Sequence, residues 1–224
     1  MAGDDTLSPA ERSGVVLVGG RSSRMGTDKS RVHVGGRSML ALVLAAFAPV
    51  ARDLLVLAGV DVEALPDTNP PASDETSTIR VLRDSEPFLG PLPALTAGLE
   101  AARAPIALVA ACDLPLLRSA VLGRLAELLE ASDQDAVIPR IDGRPQPLCA
   151  AYRTAGMARQ FRAAVSRGER SPLRALQGAR VLEPTEDNFR DLDPELLSFR
   201  NVNDPAELEA VRRIALQQDR TGDG

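Results

Sequence analysis

The sequence predicts an α/β fold: one domain with a mostly parallel central sheet and helices on both faces, a Rossmann-like three-layer α/β/α arrangement. Three observations predict it. Short continuous apolar runs, closed by Gly, Pro or Asp, recur along the chain as buried parallel strands require. Stretches with apolar residues at helical spacing stand between them. Up to Pro139 the order is strand, helix, strand, strand, helix, strand, helix, strand, the order of a sheet wrapped by helices. A length of 224 residues with 44% hydrophobic content can bury a full core.

The elements follow in order. Residues 1–13 are polar and acidic and read as a flexible leader. Gly14 to Val18 is a first buried strand, ending in Gly19-Gly20. After a basic stretch from Arg21 to Lys29, Arg31-Val32-His33-Val34 alternates polar and apolar and meets Gly35-Gly36, a small hairpin. Ser38 caps a helix to about Ala48 with Leu40, Val43, Leu44 and Phe47 on one face, and Pro49 ends it. Leu54–Ala58 is a second buried strand. Residues 61–78, rich in Asp, Pro, Ser and Thr, form a surface loop. Ile79–Leu82 is a third strand, followed by a turn-rich stretch from Pro87 to Pro93 and a helix from about Ala94 to Arg103. Pro105–Ala111 is a fourth strand, Ser119–Ala131 a helix, and Asp135–Pro139 a fifth strand. Beyond it lie a strand over 147–152, helices over about 154–167 and 171–177, a short strand over 179–182 and a last helix from Asp204 to Leu216. Residues 14–215 form the domain, its second half lying across the first, and 216–224 a flexible polar tail.

Composition narrows the function. Lys and Arg total 26 against 31 Asp and Glu, a net charge of −5. That sign opposes general nucleic-acid binding, and the lack of Trp, with one Tyr and five Phe, leaves little for stacking bases. Cys112 and Cys149 have no metal-ligand partners nearby and read as reduced, buried thiols of a cytoplasmic protein. No signal sequence and no run of ~20 apolar residues is present, so no membrane association is expected. His33, the one histidine, sits on the hairpin and reads as a surface residue.

Chemistry concentrates where strands end. Open α/β sheets bind ligands beyond the carboxyl ends of their strands. The first such end is Leu17-Val18-Gly19-Gly20, continuing Arg21-Ser22-Ser23-Arg24-Met25-Gly26-Thr27-Asp28-Lys29. Glycines let backbone N–H groups approach an anion, and Arg24 and Lys29 add positive charge to the same loop. The spacing is neither the three-glycine dinucleotide fingerprint nor a P-loop. Asp113 ends the apolar stretch Val109-Ala110-Ala111-Cys112 and precedes Leu114-Pro115. A carboxylate there is costly to desolvate without a partner, and magnesium is a natural one. Asp84 follows the third strand and also reads as a turn or cap aspartate. Asp204-Pro205 is a helix start, whereas Asn201 and Asn203, two apart, would face the same side of an extended segment.

The stretch Gly-Gly-x-Ser-x-Arg-Met-Gly-x-Asp-Lys at 19–29 resembles the signature loop of the MobA-type nucleotidyltransferases, the family of molybdenum cofactor guanylyltransferase. Val18 stands where that family has Ala. Asp84 with Gly90-Pro91-Leu92, Cys112-Asp113-Leu114-Pro115 and Asn201-Val202-Asn203-Asp204-Pro205 resemble its further motifs. The resemblance covers about residues 14–215. It implies a nucleotidyltransferase fold in which Leu17, Val18, Gly19 and Gly20 hold the nucleotide and Arg24 and Lys29 grip its phosphates. It further implies that Asp84 contacts the nucleotide, that Asp113 holds Mg2+ and touches the nucleotide, and that Asn201 and Asn203 lie near the metal or acceptor. Leu57, where some members carry Asn, and Pro93-Ala94, where Ala-Gly is usual, depart from the pattern. Gly143 to Leu148 and Gly168-Glu169-Arg170 resemble family stretches that touch the acceptor. The implied reaction transfers GMP from Mg-GTP to molybdopterin, with molybdoenzyme maturation proteins as partners. Cytidylyltransferases, transferases for sugar or polyol phosphates, and a non-catalytic nucleotide-binding regulator share the fold and stay as alternatives.

Overall fold

The computed structural model describes residues 8–19, 31–59, 62, 65, 78–83 and 90–221. The first strand, β1 (Arg12–Val18), is buried along its whole length and lies in the interior of the sheet. It starts two residues before the expected Gly14. The polar pair Arg12-Ser13 can be buried because partners from far along the chain satisfy it. Arg12 makes a two-pronged ion pair with Glu130 at 2.8 and 2.9 Å. Ser13 Oγ donates to Asp53 at 2.7 Å.

A hairpin of β2 (His33–Val34) and β3 (Arg37–Ser38) turns through Gly35 and Gly36 at positive φ. Ser38 then caps α1 (Met39–Phe47), accepting the Ala41 N–H at 3.2 Å. β4 (Asp53–Ala58) pairs in parallel with β1, and β5 (Thr78–Arg83) with β4. The expected 61–78 loop lies almost wholly outside the described residues. α2 (Pro91–Ala101) begins three residues before the expected Ala94, since a first turn needs no N–H from Pro91 or Pro93 and Leu92 is drawn into the core. It returns the chain to β6 (Ile106–Ala111), parallel to β1 on its other side.

The second half joins the same sheet. α3 (Ser119–Glu130) leads to β7 (Ala136–Val137), shorter than expected because Pro139 has no N–H for a ladder. A hairpin of β8 (Arg140–Ile141) and β9 (Arg144–Pro145) precedes β10 (Cys149–Arg153), which runs antiparallel between β6 and β7. Then come α4 (Thr154–Ser166), α5 (Pro172–Ala175), β11 (Val181–Leu182) and α6 (Pro205–Thr221). α6 continues five residues past the expected Leu216. Among the described residues the sheet has the order β11-β7-β10-β6-β1-β4-β5 and is parallel except at β10.

Side chains of β1 alternate between two cores. Val16 and Val18 pack with α1 and α3, and Val15 and Leu17 with α2 and α4. A third cluster, Val34, Met39, Val202, Leu208 and Val211, seats α6 on the hairpin. The sheet's amino edge is strapped by Asp53, which takes Arg80 at 2.7 Å, Ser13, and the Arg103 N–H at 3.1 Å. At the carboxyl edge Arg83 donates to the Val62 carbonyl at 2.6 Å, and the ends of β5, β4, β1 and β6 lie level there.

Candidate nucleotide site at the carboxyl edge

β1 leads through α1 to β4 on one side, while β5 leads through α2 back to β6 on the other. The chain therefore diverges at β1 and β6, and such a switch point opens a crevice beyond the strand ends. Gly19 stands on one side of it and Asp113 on the other.

Register fixes this geometry. Leu17 pairs with both Leu57 and Ala111, and Val18 with Ala58. The Leu17 carbonyl accepts the Cys112 N–H at 3.0 Å, and the Val18 carbonyl accepts the Gly59 N–H at 3.0 Å. Both carbonyls are thus used by the sheet, and both side chains lie in the cores. Leu17 and Val18 place the turn; the exposed group is Gly19, with φ 153°. Gly20, Arg24, Lys29 and Asp84 lie outside the described residues.

Asp113 follows β6 by two residues and is half-buried, with Oδ1 shielded from solvent. Its carbonyl accepts the Val202 N–H at 2.9 Å, so the 201–203 segment is fastened beside it. Val202 is fully buried, whereas Asn201 and Asn203 are exposed. The two asparagines share a face as the i, i+2 spacing predicts, although the segment pairs with no strand. Its other end is held by the start of α6. Glu207 Oε2 accepts the Asn203 N–H at 2.5 Å, and Asp204 Oδ1 accepts the Glu207 N–H at 2.9 Å.

A second latch was not visible in the sequence. Asp193 is fully buried, and its Oδ2 accepts the Ser198 N–H at 2.7 Å. Ser198 Oγ in turn accepts the N–H of Arg118, and Arg118 Nε lies 3.8 Å from Asp193 Oδ1. Arg118 caps α3, shortly after Asp113. The latch joins the approach to the asparagines to the loop that carries Asp113. No periodicity in Asp191-Leu192-Asp193-Pro194 marks its carboxylate as internal.

The oxygen donors at this edge, the Asp113 carboxylate and the asparagine amides, suit a hard divalent cation. Softer ligands are withheld. Both cysteines are buried, and burial pushes the Cys149 thiol up to about 12. His33 is exposed on the hairpin. Among the described residues no three His, Cys, Asp or Glu gather as a metal cage. A cation held by one carboxylate would complete its shell with water and ligand oxygens, as magnesium does with phosphates. Among the described residues no helix is long and apolar enough to cross a membrane.

Comparison with known proteins agrees with this fold. The family model of the MobA-like NTP transferase domain matches residues 14–181. A probable molybdenum cofactor guanylyltransferase of Chloroflexus aggregans is 34% identical over 206 residues, 89% of this chain and 93% of the relative. The molybdenum cofactor guanylyltransferase of a Burkholderia ambifaria strain is 33% identical over 212 residues, 90% of this chain and 95% of its own. The crystal structure of molybdopterin-guanine dinucleotide biosynthesis protein A from Archaeoglobus fulgidus superposes with a TM-score of 0.75 at 27% identity, over 92% of this chain and 99% of that one.

Proposed function

The chain belongs to the MobA-like NTP transferase family, and from that premise we propose that it transfers GMP from Mg-GTP to a molybdopterin-type acceptor, forming the guanine dinucleotide cofactor and releasing pyrophosphate. The observation that carries the proposal is the placement of Gly19 and Asp113 on the two sides of the switch-point crevice, with Asn201 and Asn203 fastened beside Asp113. The names of the relatives at 33–34% identity support the choice of GTP and acceptor.

In this reading Gly19 and Gly20 admit the base and ribose, and Asp84 contacts the nucleotide. Lys29 and Arg24 hold the phosphates, and Asp113 holds magnesium. Magnesium held there would disperse the charge that builds up on the phosphates. A terminal phosphate oxygen of the acceptor forms a bond to the α-phosphorus. The bond from that phosphorus to the bridging oxygen breaks, and pyrophosphate leaves with the electron pair. Both reactants are anionic, so positioning and charge dispersal are the main tasks. A phosphate nucleophile is already ionised near neutral pH and needs no general base. Asn201 and Asn203 orient the acceptor beside the carboxylate. The buried thiols suit a reducing cytoplasm, from which the product passes to molybdoenzyme maturation proteins.

The test is a triphosphate panel. Purified protein is incubated with molybdopterin, magnesium and GTP, CTP, ATP or UTP, and the product is identified by mass. A guanine dinucleotide from GTP alone is expected. A cytosine dinucleotide would move the protein to the cytidylyltransferases, and absence of pyrophosphate release with every triphosphate would leave a nucleotide-binding regulator.

A further inference from the structure

Three arginines gather in one open cleft on the face covered by α2, α4 and α5. The cleft holds about 530 Å³, and Gln160, Arg167, Glu169, Arg170, Arg174 and Gln177 supply its polar lining. Some surface arginines elsewhere meet carboxylates, as Arg124 meets Asp191, Arg140 meets Glu183 and Arg180 meets Asp133 and Asp135; those of the cleft differ in lying together. Among the described residues, the guanidinium groups of Arg167, Arg170 and Arg174 make no hydrogen bond and no ion pair.

Glu169 is the one carboxylate among the described lining residues. Its Oε1 accepts the N–H groups of Arg170 at 2.7 Å and Ser171 at 2.8 Å. It caps its own turn and leaves the lining positive, three guanidinium groups against one carboxylate, in a chain of net charge −5. Glu169 feels the charges of Arg174 and Arg170, but like charges in excess of counter-charge still raise the local potential and attract an anion.

The walls are built before any ligand arrives. Gln160 Nε2 donates to the carbonyls of Ala175 at 2.7 Å and Gln177 at 3.3 Å, fixing α5 to α4. The Arg170 carbonyl accepts the Leu92 N–H at 3.4 Å. Gly90 allows this approach, because a Cβ there, at φ 113°, would stand 3.2 Å from Arg170 Cβ and carbonyl oxygen. α4 starts beyond Arg153, whose strand position pairs with Ile106 at the amino end of β6. The helix therefore runs toward the carboxyl edge, and its end, Ser166, reaches the level of the α2 start.

We propose that this cleft is a second anion site, which takes a small organic molecule bearing a phosphate or another oxyanion through the guanidinium groups of Arg167, Arg170 and Arg174. Guanidinium forks match an oxyanion with paired N–H donors. The oxyanion belongs either to a free effector or to the acceptor, at a point away from the transferred phosphate.

Inorganic phosphate is the probe. It is titrated into the 15N-labelled protein at constant ionic strength, which holds general screening fixed. Saturable amide shifts at Gly168, Glu169, Arg174 and Gln177 are expected. In the double variant Arg167→Gln, Arg174→Gln, phosphate affinity at these amides falls at least ~10-fold, about 1.4 kcal/mol. Both side chains are exposed, so the fold should survive, which an unchanged Tm checks; Arg174→Gln alone serves if the double variant unfolds. Shifts that fail to saturate, or equal affinity in wild type and variant, would overturn the site. Steady-state kinetics, which rest on the proposed reaction, then separate the two sources. A higher KM for the acceptor at constant nucleotide KM points to the acceptor, and two unchanged KM values point to an effector.

Discussion

Asp193 anchors the approach to the asparagine segment, and removing its carboxylate should loosen it. Asp193→Ala takes away the acceptor of the Ser198 N–H, which lies 2.7 Å from Oδ2 in a fully buried setting. A hydrogen bond to a charged acceptor contributes about 1.5–3 kcal/mol. The Arg118 contact, at 3.8 Å with that side chain 42% exposed, adds less than about 1 kcal/mol. Against this, alanine removes the desolvation cost of the buried carboxylate. The net loss is about 2 kcal/mol, which for a chain of this length lowers Tm by about 4–8 °C. Thermal unfolding followed by far-UV circular dichroism reads it. The effect on function is selective. Asn201 and Asn203 lose an upstream anchor while β1 and its glycine turn are untouched, so turnover should fall more than nucleotide affinity. Asp193→Asn, which keeps one acceptor oxygen, should lose about half as much stability. A Tm unchanged to within ~1 °C in the alanine variant would refute the latch, and the reasoning that built it.

Three further outcomes are expected. Gly98→Ala should destabilise by about 1–3 kcal/mol in urea unfolding despite its better helix propensity, because the new Cβ would lie 2.5 Å from the Val15 side chain on β1. Burial raises the Asp53 carboxyl, but hydrogen bonds from Ser13, Arg80 and the Arg103 N–H, with the Arg80 charge, outweigh it and hold it below its usual 3.8. The folded value is the lower one, so this stabilisation is full above the unfolded pKa and is lost as pH falls through 3.8 and then through the folded value. Tm measured from pH 6 downward should therefore fall less in Asp53→Asn than in wild type. Lys29→Ala should weaken GTP binding at least ~10-fold by calorimetry, about 1.4 kcal/mol, and unchanged affinity would count against the loop's role.

Much of the fold was legible where local chemistry decides structure. The apolar run Leu54–Ala58 suits only a strand buried on both faces. Gly35-Gly36 turns the hairpin, Ser38 caps α1, and Asp204-Pro205 opens α6. What escaped depends on partners distant in sequence. Arg12 and Ser13 look like leader residues until Glu130 and Asp53 are beside them. The polar Gln217 to Thr221 lack an apolar stripe, yet helix propensity carries α6 through them. Asp142-Gly143, at φ 48° and 70°, turns the β8–β9 hairpin, and an Asp-Gly pair is a local signal for such a turn. At the candidate site, the strand end before Asp113 and the i, i+2 spacing of Asn201 and Asn203 were readable in the sequence. Their junction through the Val202 N–H was not, because it joins positions far apart in the chain.

Lys29 is the only lysine in the sequence, which makes one experiment unusually direct. An amine-selective acylating reagent modifies only Lys29 and the chain's α-amino group, and peptide mass mapping separates the two. If the loop amine and the Asp113 carboxylate address one magnesium-bound triphosphate, Mg-GTP should slow Lys29 modification at least ~10-fold in the wild type. The protection should vanish with EDTA and in Asp113→Ala, whose Tm should stay close to wild type. Equal Lys29 reactivity with and without Mg-GTP, or full protection in Asp113→Ala, would contradict a shared site.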